Sequence, residues 1–232
     1  IMKTIGLIGG MSWESTAIYY RLMNELVRAR LGGGHSAKIA LWSFDFDEIA
    51  QLQHAGDWEG AATMLVNAAR KLEQAGAQAL VICTNTMHKM ADEVQAAVSI
   101  PLIHIADATA EAIRAAGASR PILLATRFTM EQGFYTGRLA DRHGIIAVTP
   151  DSKGRDVVHK IIYDELVRGI VTAPSKDAYL GEVARLRSQQ EADSLIMGCT
   201  EITMLIGQSD FDIPVFDTTA IHAKAAVDFA LA

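Results

Sequence analysis

Two segments of this 232-residue chain read as copies of one another: Leu80-Val81-Ile82-Cys83-Thr84-Asn85-Thr86-Met87-His88 and Ser194-Leu195-Ile196-Met197-Gly198-Cys199-Thr200-Glu201-Ile202. Each is a short apolar run, the pattern of a buried strand, that breaks into hydroxyl and thiol side chains where a helix can begin. The copying extends further. Ile100-Pro101-Leu102-Ile103-His104-Ile105-Ala106-Asp107 resembles Ile213-Pro214-Val215-Phe216-Asp217, and Thr4-Ile5-Gly6-Leu7-Ile8-Gly9 has a looser echo in Pro121-Ile122-Leu123-Leu124-Ala125. Three pairs in one order, separated by about 113 to 117 residues, point to an internal duplication with a half-length unit near the size of one small domain.

The chain between these segments alternates strand and helix patterns. Strands are expected near 3–8, 38–44, 79–84, 101–105, 120–125, 145–148, 194–198 and 213–216, with amphipathic helices over 16–31, 60–76, 107–117 and 178–190. Such alternation calls for parallel sheets covered by helices on both faces, with active groups at the carboxyl ends of the strands. The expected fold class is therefore α/β, with two similar lobes. The first lobe spans 1–99, joined by a C-terminal helix over 217–232, and the second spans 100–216.

Composition narrows the function classes. Half of the residues are hydrophobic and a fifth are charged, as in an ordinary folded chain. A net charge of −6 argues against nucleic-acid binding, which needs clustered Lys and Arg. No apolar stretch approaches the roughly 20 residues of a membrane-spanning helix, and no signal-peptide pattern precedes the first strand, so no membrane association and a cytoplasmic location are the default expectations. The two cysteines, Cys83 and Cys199, stand one per half without neighbouring ligands at metal spacing, so neither a disulfide framework nor a metal site is expected.

Gly6-Leu7-Ile8-Gly9-Gly10-Met11-Ser12 is a strand, a glycine turn and a helix start. Its spacing lacks the third glycine of a dinucleotide loop, and it reads instead as a tight turn offering backbone N–H groups to a small anion such as a carboxylate, or as a turn that only packs.

Gly9-Gly10-Met11-Ser12, Thr84-Asn85-Thr86-Met87-His88 and Gly198-Cys199-Thr200-Glu201 together resemble the aspartate/glutamate racemase family, over essentially the whole chain. The resemblance implies two lobes with parallel sheets flanked by helices, related by a pseudo-twofold axis, with a small amino-acid substrate held between them. It implies two-base racemisation of aspartate or glutamate that needs no cofactor, neither pyridoxal phosphate nor metal. It also implies Thr84 and Cys199 as the catalytic pair, and Met11, Gln53, Asn85, Thr86 and Thr200 as substrate contacts. A homodimer is left open.

The chemistry shows why two groups are needed. Racemisation removes the α-proton from one face of the carbon and delivers a proton to the other, so two acid/base groups must flank it. A thiol suits the task because its ordinary value near 8.5 can be drawn toward neutrality by helix N-termini. The family's first motif commonly carries cysteine where this chain has Thr84, with Cys83 one place earlier. Strand alternation turns Cys83 to the opposite side, into the core, and leaves Thr84 to borrow basicity from His88, water or substrate. A single-cysteine isomerase or decarboxylase of the same superfold, and a non-catalytic amino-acid-binding protein, remain the alternatives.

Other residues keep two readings each. Asn85 and Thr86 either contact a carboxylate or cap a helix. His88 either orients the loop or packs in the core, and Glu201 either holds a proton or fixes a turn. The Phe46–Gln53 segment lacks the arginine found in some family members, so a distal carboxylate needs a neutral amide or a cation from elsewhere, with Arg127, Lys160 and Arg168 as candidates that otherwise read as solvated surface charges.

Overall fold

Continuous apolar runs become all-parallel sheets. The computed structural model describes all 232 residues and divides into two units, one of residues 1–105 with 219–232 and one of residues 106–218.

In the first unit, β1 (Ile5–Gly9), α1 (Trp13–Leu31), β2 (Ile39–Ser43), α2 (Phe46–Ala55), α3 (Trp58–Gln74), β3 (Ala79–Ile82) and α4 (Ala91–Ala97) follow in order. The strands lie β2-β1-β3, all parallel, with Ile5 opposite both Ile39 and Ala79. Successive side chains point to opposite faces, and both faces are buried, which is why no polar alternation marks these strands. Ile8, Leu80 and Ile82 pack on one face against Leu65, Ala68 and Leu72 of α3. Ile5, Leu7, Val81 and Cys83 pack on the other, against Tyr19, Met23 and Val27 of α1 and against Ala223, Ala226 and Val227 of the C-terminal helix.

The second unit runs α5 (Ile105–Ala115), β4 (Pro121–Ala125), α6 (Arg127–Glu131), α7 (Gly133–His143), α8 (Ser152–Asp164), α9 (Ala173–Gln190), β5 (Ser194–Gly198) and β6 (Val215–Asp217), with α10 (Thr218–Leu231) carrying the chain back to the first. Its sheet is again parallel, ordered β4-β5-β6.

The strands expected at 101–105 and 145–148 are each reduced to one bridge, Leu102 beside Leu80 and Val148 beside Ile122. Pro101 has no N–H to give, the Leu102 N–H goes to Gln95 Oε1, and α5 starts at Ile105, so the ladder here is limited to the bonds that Leu80 makes to Pro101 and Ile103. Val148 is stopped similarly by Pro150 and by Asp151, whose carboxylate caps α8. With these bridges included, the first unit reads β2-β1-β3-Leu102 and the second Val148-β4-β5-β6. The two orders coincide, and β3 and β5 occupy the same place in them, as the duplication requires.

Caps explain where helices begin earlier than expected. The Ser12 hydroxyl accepts the Ser15 N–H and starts α1 at Trp13, while Thr172 does the same for Ser175 and starts α9 at Ala173 with a proline in the first turn. No helix of the protein is long and apolar enough to cross a membrane.

Candidate active site

Each motif segment ends as a tip at the carboxyl edge of its own sheet. The first leaves β3 at Cys83, a bend over 83–85, and then a 3₁₀ turn, Thr86–Met90. Cys83 is fully buried on the face covered by α1 and α10, and burial pushes its thiol far above the ordinary range. It is inert there. Thr84, the next residue, is partly exposed, and its hydroxyl has no partner within the protein.

Asn85 stands at the N-cap of the 3₁₀ turn, but its side chain does not cap it. Capping therefore does not explain the asparagine. Thr86 opens the turn and is buried with it. His88 donates from Nδ1 to the Thr84 carbonyl at 2.7 Å. Gln53, on α2, donates from Nε2 to Met87 Sδ at 3.2 Å, which places α2 against this turn.

Met11 is 5% exposed and packs in the core with Ile8, Ile49 and Met87. The glycine turn before it is shaped by close packing. Gly10 has φ +81°, and a Cβ there would strike the Phe44 backbone; one on Gly9 would strike Thr16. The Gly10 N–H is donated to Thr16 Oγ1 at 2.9 Å and the Ser15 N–H to Ser12 Oγ. The expectation that this turn offers its N–H groups to an anion is thus corrected for these two donors, which are already engaged.

The second tip leaves β5 at Gly198, where a Cβ would lie 2.9 Å from Leu123 and 3.0 Å from Ala125. Cys199 follows, partly buried, and Thr200 opens the 3₁₀ turn Thr200–Met204, with the Ile202 N–H on the Cys199 carbonyl. The Cys199 thiol donates to Glu201 Oε2 at 2.9 Å. Burial, first, and then the Glu201 charge and this hydrogen bond hold the thiol well above its ordinary value, against weaker lowering by the Glu201 and Ile202 N–H groups. The sequence suggested a thiol drawn toward neutrality. The structure reverses that, because burial, and after it the Glu201 carboxylate, outweigh one short turn of N–H dipoles. Burial also raises Tyr163 and Tyr179, and any negative charge on Cys199 raises both further, so two phenols remain neutral close to this tip.

Of the three candidate cations, Arg127 is paired with Asp156 at 2.5 Å. Lys160 and Arg168 are exposed and enter no ion pair. Arg168 ends the turn Leu166–Arg168, which packs against the turn that follows Cys199. No three His, Cys, Asp or Glu side chains converge in the manner of a metal site.

Sequence reading identified both tips but missed the histidine packing beneath the first. The rings of His104 and His222 lie 4.6 and 5.4 Å from that of His88. No spacing could have announced it, since the three positions are distant in sequence and meet only through the fold.

Comparison with known proteins gives a consistent picture. Residues 8–226 match the family described as Asp/Glu/Hydantoin racemase. The chain is 26% identical to the broad specificity amino-acid racemase RacX of Bacillus subtilis, over 98% of each sequence. A crystal structure from Yersinia pestis assigned to the Asp/Glu racemases is 57% identical, covers all of both chains and superposes with a TM-score of 0.95. An aspartate racemase homologue from Pyrococcus horikoshii is 33% identical over all of both chains, with a TM-score of 0.88.

Proposed function

This chain belongs to the Asp/Glu/Hydantoin racemase family, and from that premise we propose that it interconverts L- and D-aspartate and L- and D-glutamate without pyridoxal phosphate or metal, by proton transfer at Cα between Thr84 and Cys199. The observation that carries the reading is the Cys199–Glu201 pair, a thiol held 2.9 Å from a carboxylate at a strand tip.

A thiol that rests protonated cannot abstract a proton by itself. Glu201 supplies the missing step: as Cys199 takes the α-proton on its side of Cα, its own proton passes to Glu201. The electron pair left on Cα is delocalised into the α-carboxylate, where Asn85, Thr86, Thr200 and the backbone at Met11 act as hydrogen-bond donors. On the opposite face the Thr84 hydroxyl gives its proton to Cα and recovers one from water, while Glu201 releases its proton to water. In the reverse direction the Thr84 oxygen takes the α-proton as its own hydroxyl proton passes to water, and the Cys199 thiol gives its proton to the other face of Cα and is reprotonated through Glu201. Gln53 and Arg168 take the distal carboxylate, Arg168 because Arg127 is already committed to Asp156 and Arg168 sits on the turn packed beside the Cys199 tip.

The test is chiral chromatography of aspartate, glutamate and a neutral amino acid incubated with the purified, cofactor-free protein. Conversion of either acidic amino acid to an equal mixture of enantiomers supports the reading. No conversion, with binding intact, assigns the chain to amino-acid binding. Release of carbon dioxide from a malonate-type substrate assigns it to decarboxylation.

A further inference from the structure

We infer that His88 is a positioning residue that fixes the Thr84 tip as a neutral imidazole protonated on Nδ1, and that it takes no part in moving the proton. The inference rests on the proposed role of Thr84. Its basis is what each ring nitrogen faces. Nδ1 lies 2.7 Å from the Thr84 carbonyl, which has no proton to give, so Nδ1 must carry one. Nε2 lies 3.2 Å from the Ile105 backbone nitrogen and receives its N–H, so Nε2 must be bare. Both nitrogens are therefore engaged, and the side chain is 2% exposed. A histidine in this state cannot lend Thr84 basicity without breaking a backbone hydrogen bond.

The residues around it reinforce the assignment. His222 is spent in the same fashion: Nε2 donates to the Ile103 carbonyl at 2.6 Å, and Nδ1 accepts the Tyr19 hydroxyl at 2.7 Å. The segment Ile103–Ile105 is thus gripped at its carbonyl by one histidine and at its N–H by the other. His88 transmits that fixed point to Thr84. The need is local. Thr84 lies in a bend beyond the last ladder pair of β3, and the asparagine after it supplies no side-chain cap. The bond from His88 to its carbonyl therefore sets the peptide plane after Thr84 and, with it, the direction of the Thr84 side chain.

A reacting group displaced by about 1 Å can cost on the order of 100-fold in rate while leaving binding nearly unchanged. His88 should therefore influence kcat and leave KM alone.

Two conservative variants separate its two bonds. In His88→Asn the amide nitrogen can stand where Nδ1 was, keeping the bond to Thr84 and losing the one to Ile105. In His88→Gln the amide reaches the Nε2 position and leaves Thr84 unheld. With Thr84→Ala as reference, we expect His88→Asn to keep kcat within about threefold and His88→Gln to lose about 10- to 100-fold, with KM within about twofold in both. In deuterium oxide, the loss in His88→Gln should fall on exchange of the enantiomer whose α-proton faces Thr84. Equal losses in the two variants, or equal loss for both enantiomers, would make His88 a core residue only and overturn the inference. Nitrogen-15 spectra of labelled histidine test the tautomer independently of Thr84: a proton on Nε2 would overturn it. If Thr84→Ala is fully active, the proposed function fails instead, whatever His88 does.

Discussion

The two strand tips occupy the same place in sheets of the same order, yet they are surrounded differently. At the first, the side chain proposed to react is a bare hydroxyl, and the surrounding groups fix its backbone: His88 binds the Thr84 carbonyl and Cys83 is sealed into the core. At the second, the side chain proposed to react is a thiol, and it donates a hydrogen bond to a nearby carboxylate. The scaffold is repeated while the side chains at its tips differ. A hydroxyl of very high pKa has no use for a nearby base of ordinary strength but depends on position. A thiol can be deprotonated by a carboxylate once the α-proton begins to move. Each tip thus has the neighbour its own functional group can use.

The largest effect should come from the second tip. Cys199→Ser keeps volume and hydrogen bonding but removes the acidity that Glu201 can exploit, so kcat for aspartate should fall about 10²- to 10⁴-fold with the circular dichroism spectrum unchanged. Near-normal turnover in the folded variant would erase the contrast.

At the first tip the contrast is between neighbours. Thr84→Ala should cost about 100-fold in kcat with little change in stability. Cys83→Ala should cost about 1–2 kcal/mol of stability, from a small core cavity, with kcat nearly intact. The reverse outcome in urea melts and kinetics would mean that the motif is out of register by one residue.

The histidine packing gives the first tip an acid sensitivity. Burial holds His222 at about 4 against an ordinary 6.5, so the unfolded chain binds a proton that the folded one refuses between those values. The linkage lowers stability as pH falls from 6.5 and reaches roughly 3 kcal/mol near pH 4, while above 6.5 it costs nothing. Denaturation midpoints measured across that window should decline. A flat profile would contradict the buried neutral ring.

Arg168→Gln should raise KM for aspartate about tenfold, the value of one charge-assisted contact near 1.4 kcal/mol, with kcat little changed. The subtlest effect belongs to Glu201→Gln. Removing the carboxylate removes a cause of the raised Cys199 value, so alkylation of Cys199 by iodoacetamide should begin at lower pH than in the wild type, even as turnover slows. Alkylation that begins at higher pH would show that Glu201 does not control the thiol.

Much of this was legible in the sequence because it rests on local pattern. The buried strands announced themselves as apolar runs, and the paired motifs located both tips and put Cys83 in the core. What stayed hidden depends on partners brought together by the fold. Glu201 is adjacent in sequence, but only the turn geometry shows its carboxylate on the thiol, which reverses the expected direction of the Cys199 shift. His88 was visible, but its tautomer required knowing that Ile105 supplies the second bond. The strands expected at 101–105 and 145–148 shrink to single bridges at Leu102 and Val148 because apolar content marks burial, while nearby prolines and the helix starts at Ile105 and Ser152 limit the pairing.

The central claim is that Cys199 and Thr84 serve opposite faces of one carbon. It is tested most directly by following the α-proton of L- and D-aspartate by proton NMR in deuterium oxide, with wild type, Cys199→Ser and Thr84→Ala. The expected result is solvent deuterium at Cα with formation of the opposite enantiomer, unequal exchange rates from the two enantiomers in wild type, and each variant suppressing exchange most for a different enantiomer. Equal exchange from both enantiomers in wild type, or both variants suppressing the same one, would contradict it.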